Sequence, residues 1–337
     1  MTDTELATRF RGRRVLITGG LGFIGSSLAR ALLAGGADVA LVDSLAPEYG
    51  GNRANIAGLE DDVRVVVADV RDAGVLPPLV RDRDVVFNLA GQTSHLDSMR
   101  DPLTDLEINC HAQLTLLEAC RHLAPAATVV FAGTRQIYGR PRYLPVDESH
   151  PVEPVDVNGI HKAAAERYHM LYGEIYGLPV SVLRLTNTYG PRMRVRDARQ
   201  TFLGVWLAAL VRGREFEIWG DGSQLRDFTY VDDAVTAFLL TASDPAARGK
   251  ALNLGGERAV SLRELAELAV SANSGGSFRI VPYPEDRKPI DIGDYVADDR
   301  AIRLLLGWRP KVTLEDGLAR SLAYYREHGQ LYWGETE

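Results

Sequence analysis

Cysteine is nearly absent. Cys110 and Cys120 are the only two in 337 residues, too few for a disulfide framework or a four-thiolate zinc site. Both fall in an apolar helical pattern and are read as buried core thiols. An excess of basic charge is absent as well. The net charge is −7 and the arginines are interspersed with acids, so neither nucleic acid nor an anionic membrane surface is expected as a partner. No apolar run is long enough to cross a bilayer. Met1–Arg13 is acidic and polar, without the apolar centre of a secretion signal, and a cytoplasmic protein is the expectation. No repeat, low-complexity linker or metal-ligand cluster is visible.

What is present begins at Arg14. Val15-Leu16-Ile17 reads as a buried strand, and Thr18–Gly25 breaks it with Gly19, Gly22 and Gly25 spaced G-x-x-G-x-x-G. Ser26–Leu33 then follows a helical apolar pattern. In a strand–turn–helix unit the first glycine allows the tight turn, the second lets backbone approach a pyrophosphate, and the third lets helix and strand pack closely. Free N–H groups at the helix start attract phosphate. Val39–Asp43 is a second strand ending in an acid, the placement that takes adenosine ribose hydroxyls and favours NAD over NADP. Val63–Asp69 is a third strand; Asp69 is read as an adenine contact with Val70 packed on the ring, or else as a cap of the next turn.

Asp84–Gly91 is a fourth strand, ending in small residues at Leu89, Ala90 and Gly91 that let a cofactor lie against backbone. Thr93, Ser94 and His95 follow at its carboxyl end, where open α/β sheets bind ligands. His95 reads equally as a substrate contact or a surface histidine. A helix is expected from Asp101 to Cys120, with Asn109 as the odd polar residue, tied to a neighbouring loop because a buried amide must be hydrogen-bonded. Thr128–Ala132 is a fifth strand that delivers Gly133 and Thr134. Such alternation implies a Rossmann-like, doubly wound parallel α/β sheet. The length allows a large core with a smaller lobe, divided here into a mainly nucleotide-binding part, 12–185, and a mainly substrate-binding α/β lobe, 186–330, interleaved with returning core elements. A second long helix runs from about Val157 to Tyr176 and carries Asn158 and Lys162 on one face.

These motifs, with Arg184–Pro191 and Arg226–Asp233 further on, resemble the extended short-chain dehydrogenase/reductase family in its nucleotide-sugar epimerase and dehydratase group, over nearly the whole chain. The resemblance implies NAD held by Gly19, Gly22, Phe23, Ile24, Gly25, Asp43, Asp69, Val70, Leu89, Ala90, Gly91 and Lys162. It implies a nucleoside-diphosphate sugar held by Thr93, Ser94, Thr134, Asn187, Arg192, Arg226 and Arg287. It also implies a homodimer through the two long helices. The family's catalytic trio is a Ser or Thr, a Tyr, and a Lys four residues after that Tyr. Thr134 and Lys162 match, but Asn158 stands at the tyrosine position, and an amide has no usable ionisation near neutral pH. A water held by Asn158, Thr134 and Lys162, then His161, then Tyr138 are the substitutes for proton transfer, in that order. The implied activity is an NAD-dependent epimerase working through a transient keto sugar. A 4,6-dehydratase or a catalytically reduced binding protein is the alternative. Epimerase is preferred because the Glu that often follows the threonine in dehydratases is replaced by Arg135.

Overall fold

The computed structural model describes residues 3–199 and 201–333. Its strands are β1 (Arg14–Thr18), β2 (Asp38–Asp43), β3 (Arg64–Val67), β4 (Val85–Asn88), β5 (Thr128–Thr134), β6 (Val180–Leu185), β7 (Asn187–Tyr189), β8 (Phe216–Trp219), β9 (Leu225–Tyr230), β10 (Ala251–Asn253), β11 (Ala259–Ser261) and β12 (Phe278–Val281). Seven of them form one parallel sheet in the order β10-β6-β5-β4-β1-β2-β3. Both faces are covered, which is why the strands read as unbroken apolar runs rather than alternating ones. Within β1, Val15 and Ile17 enter a core with Leu28, Phe87 and Phe238, while Leu16 turns to the opposite face and packs with Val86, Leu116 and Cys120. The strand order reverses between β1 and β4, so the loops after those two strands diverge and open a crevice at their carboxyl ends.

The smaller lobe contains a three-stranded sheet, β11-β9-β7, and the parallel pair β8 and β12. Its core is built on Leu203, Trp206, Phe216, Leu265, Leu318 and Tyr325. β10 leaves this region and returns to pair with β6 in the large sheet.

Two helical segments frame the crevice. The expected Asp101–Cys120 helix is interrupted: Pro102–Leu106 is α-helical, Glu107–His111 widens into a π turn, and Ala112–Leu123 resumes the α-helix. The wide turn accommodates Asn109, whose side chain bonds both backbone groups of Gln92, accepting from its N–H at 3.2 Å and donating to its carbonyl at 2.9 Å. The amide therefore ties helix to loop as its sequence context required. Cys120 is buried, but Cys110 is only half-buried, because it lies on the π turn rather than the core-facing stripe. The Val157–Tyr176 helix starts at Asp156, which accepts the Gly159 N–H at 2.6 Å, and ends at Gly177 in the left-handed region with φ +72.

Candidate active site

The crevice holds a cleft walled by the glycine turn on one side and by Leu89, Ala90, Gly91 and Thr93 on the other. Gly19 is in the left-handed region, and a Cβ there would press on the Ala90 backbone; one on Gly25 would collide with the Gly19 carbonyl. The two loops are stapled by Thr18, whose hydroxyl donates to Asn88 Oδ1 at 2.8 Å and accepts from the Leu89 and Ala90 N–H groups. Asp43 reaches the same cleft from the end of β2. Its buried carboxylate accepts from Leu21 N–H at 3.0 Å and Leu45 N–H at 2.9 Å; burial pushes its pKa upward against these bonds. Asp69 and Val70 line the far end. Asp69 already pairs with Arg71 at 2.7 Å and takes the Arg71 N–H at 2.9 Å, so it caps its turn as well as facing the cleft.

At the inner end stand Thr134, Asn158 and Lys162. Lys162 donates from Nζ to the Ala132 carbonyl at 2.8 Å and sits 4.3 Å over the Phe131 ring. Burial pushes its pKa down to about 8, although Asp105 and Glu166 pull it partly back. Removing solvent disfavours a charged amine. In the unfolded chain the same group titrates near its ordinary 10.5, so between those values the unfolded chain binds more protons. Raising the pH from about 8 to about 10.5 therefore favours the fold through this group. Carbon-13 NMR of labelled lysine is expected to find one side chain with a midpoint near pH 8 that disappears in Lys162→Met. An all-normal lysine spectrum would refute the burial effect.

Asn158 is braced through its donor groups. Its Nδ2 donates to the Gln92 carbonyl at 2.8 Å and to Asp105 Oδ2 at 3.1 Å, and its backbone N–H goes to Ser98 Oγ. It borders the cleft as a brace, both side-chain N–H groups going to protein acceptors. His161 lies outside both clefts described here; its Nδ1 is 2.7 Å from Asp105 Oδ1. Tyr138 is buried, donates to Asn253 Oδ1 at 2.6 Å and accepts from Arg184. Burial pushes its pKa up to about 12. Neither side chain is placed to meet a substrate, because each is bonded into the protein interior.

A second cleft opens between the large sheet and the lobe. Ser94, Arg226 and Arg287 line it, with Trp206, Trp219 and Tyr283 as aromatic walls. Arg287 stacks over Trp219 at 4.5 Å. Arg226 is tied to the Leu225 and Gly293 carbonyls, and burial, reinforced by Arg135, pushes its pKa down to about 10. Arg192 is elsewhere: its guanidinium bonds Ser27 Oγ at 3.3 Å and faces Tyr324, away from both clefts. The two clefts meet at His95, Arg135, Gln136, Asn187 and Thr201, which border both. Arg135 is the unusual one. Its Nη2 bonds Asn187 Oδ1 at 3.1 Å, while its Nη1 is buried and has no partner.

The model of the NAD dependent epimerase/dehydratase family matches residues 15–255, from β1 through β10. The chain belongs to this family. Its relatives include a UDP-glucose 4-epimerase of Mycolicibacterium smegmatis, 34% identical and covering 94% of this chain and 100% of that one. A dTDP-glucose 4,6-dehydratase of Streptomyces griseus is 32% identical over 93% of this chain and 94% of its own. The UDP-glucose 4-epimerase of Thermus thermophilus, solved in complex with NAD, superposes with a TM-score of 0.82 at 31% identity, covering 93% of this chain and 99% of that one.

NAD is the cofactor of the family, and the first cleft fits it physically. The glycine turn has no room for side chains where the pyrophosphate path runs, and Asp43 presents a buried carboxylate at the end of β2. Sequence reading passed over the residues that make the rest of the site: Gln92, Asp105, Gln136 and Asp156. Only Asp156 carried a local signal, an acid immediately before a helix. The others are recognisable only once the chain is folded.

Proposed function

We propose that this chain is an NAD-dependent nucleoside-diphosphate-sugar epimerase that oxidises a sugar carbon to a ketone and reduces it again. The observation that carries the reading is the junction of the two clefts. The second offers Arg226 and Arg287 for a diphosphate, and planar guanidinium donors match phosphate oxygens. The first brings Thr134 and Lys162 to the junction, where the sugar end of such a ligand reaches the cofactor. Arg135 and Asn187 stand between, and the unpartnered Nη1 of Arg135 supplies a buried donor to the ligand. Bound in the first cleft, NAD supplies the acceptor and later the donor of hydride. Gly19, Gly22 and Gly25 admit its pyrophosphate, Asp43 holds the ribose, and Lys162 orients the nicotinamide ribose and sugar hydroxyls.

Epimerisation is favoured over 4,6-dehydration by the residues at the junction. Dehydratases often carry a Glu directly after the threonine; here Arg135 stands there, and among the described residues no Asp or Glu borders both clefts. The test is a panel of uridine, thymidine, guanosine and cytidine diphosphate sugars in deuterated water, followed by product NMR. A 4-epimer without carbon-bound deuterium is the expected product. A deoxyketo product would establish dehydration instead, and binding without conversion across the panel would establish a binding protein.

A homodimer belongs to the same proposal. Leu103 and Leu106 on one helical segment and Ile160, Leu171 and Ile175 on the other are exposed, an apolar set that a second copy would cover as a four-helix bundle. Sedimentation at micromolar concentration is expected to give twice the chain mass, and Ile175→Arg to shift it toward monomer. A wild-type monomer would remove the interface.

A further inference from the structure

The tyrosine that carries the proton in this family is replaced by Asn158, and the side chains of His161 and Tyr138 are bonded into the interior. The structure places a different ionisable group at the point where the clefts meet. His95 begins the His95–Arg100 helix, directly after Ser94, whose Oγ caps it by accepting the Asp97 N–H at 3.2 Å. This short helix packs against the start of the Val157–Tyr176 helix; Ser98 Oγ accepts the Asn158 N–H at 3.1 Å. The packing sets His95 Nδ1 3.0 Å from Asp156 Oδ2.

Asp156 is held on both sides. Oδ1 takes the Gly159 N–H at 2.6 Å, and Oδ2 takes Gln136 Nε2 at 2.6 Å. Its side chain is wholly buried. The His95 side chain is 39% exposed, while its Nδ1 atom is buried close to the Asp156 oxygen but off the line of a hydrogen bond to it. His95 borders both clefts, so the part of its ring left exposed is what a ligand at the junction meets. A buried carboxylate 3.0 Å from one imidazole nitrogen favours a proton on that nitrogen and leaves the other for a ligand.

We propose that His95 is the proton-transfer group of this enzyme and that Asp156 is its positioning residue. The inference rests on the sugar-oxidation reading above. In the forward step the sugar O–H bond breaks and an Nε2–H bond forms, while the electron pair of the adjacent C–H bond leaves as hydride to the oxidised dinucleotide. The alcohol carbon becomes a ketone, the dinucleotide is reduced by two electrons, and the imidazolium is balanced by Asp156. The reverse step returns the proton from Nε2 to the carbonyl oxygen. Asn158 keeps the loop of Gln92 and the short helix in place, and so holds His95 at the junction without itself exchanging a proton.

The experiment uses the full chain with NAD and either UDP-glucose or dTDP-glucose, comparing wild type, His95→Gln and Asp156→Asn. Asparagine retains the Oδ1 acceptor for the Gly159 N–H, so the helix start survives. His95→Gln is expected to lower kcat on the order of 100-fold or more, with calorimetric affinities for NAD and the sugar nucleotide within about threefold. Asp156→Asn is expected to lower kcat roughly tenfold or more at unchanged affinity, since it acts through the ring. A readout independent of turnover is proton–nitrogen NMR of histidine-labelled protein: one downfield Nδ1–H resonance is expected, lost in His95→Gln and moved upfield in Asp156→Asn. Turnover of His95→Gln within about threefold of wild type, or absence of the downfield resonance, would overturn the assignment of His95 alone. A wild type that binds neither sugar nucleotide, or never converts them, would overturn the sugar-oxidation reading and this inference with it.

Discussion

Gly25→Ala is expected to weaken NAD binding by about 100-fold or more. The added Cβ would collide with the carbonyl oxygen of Gly19 and stand 3.0 Å from Gly20 Cα. Both neighbours are backbone, so no flexible side chain can move aside. The glycine turn must open, and its opening displaces the start of the Phe23–Ala34 helix, whose free N–H groups suit a phosphate. Affinity should fall by about 100-fold or more, equivalent to about 2.7 kcal/mol. The overpacked turn should also lower fold stability by about 1–3 kcal/mol. Calorimetry with NAD and a denaturant titration measure the two effects separately. Gly12→Ala is the control: its φ of +72 disfavours alanine, yet nothing lies within 4 Å of the added Cβ. That variant should lose some stability and no NAD affinity. Retention of NAD binding by Gly25→Ala within about threefold would mean that the cofactor does not lie against this turn.

Asp105→Ala is expected to be among the most damaging single changes away from the glycine turn. The carboxylate is fully buried. Oδ1 holds His161 Nδ1 at 2.7 Å, and Oδ2 takes Asn158 Nδ2 and Asn109 Nδ2, each at 3.1 Å. Its removal leaves three polar groups short of a partner and takes away a negative charge that steadies the Lys162 ammonium. Loss of one partner from a buried charged cluster costs about 3–5 kcal/mol, and this cluster joins the π turn, the Gln92 loop and the Val157–Tyr176 helix. Unfolding in urea should show the loss, and the Lys162 midpoint should fall further below 8. His161→Ala removes only one of the three partners and should cost about 1–2 kcal/mol. A cost below about 1 kcal/mol for Asp105→Ala would show that the cluster is not a joint of the fold.

Local order along the chain was enough to read the parallel sheet and its first crossover. Buried parallel strands are unbroken apolar runs, and the turn between β1 and its helix admits only glycine at the tight positions, so both leave marks that need no tertiary information. The same holds for Asn158 and Lys162 sharing a helical face, since four residues are just over one turn, and for Asn109 as a bonded amide in an apolar stripe. Tertiary structure decided what each polar side chain meets. His161 follows Asn158 by three residues and borders neither cleft, because the Pro102–Leu106 helix packs on that side and offers Asp105. Arg192 sits in a basic loop but closes on Ser27, and Tyr138 turns inward to Asn253 from the returning β10. His95 gains its carboxylate from Asp156, 61 positions later in the chain. Periodicity says which residues share a face; what lies opposite that face depends on contacts between distant segments, which form only when the crossovers close.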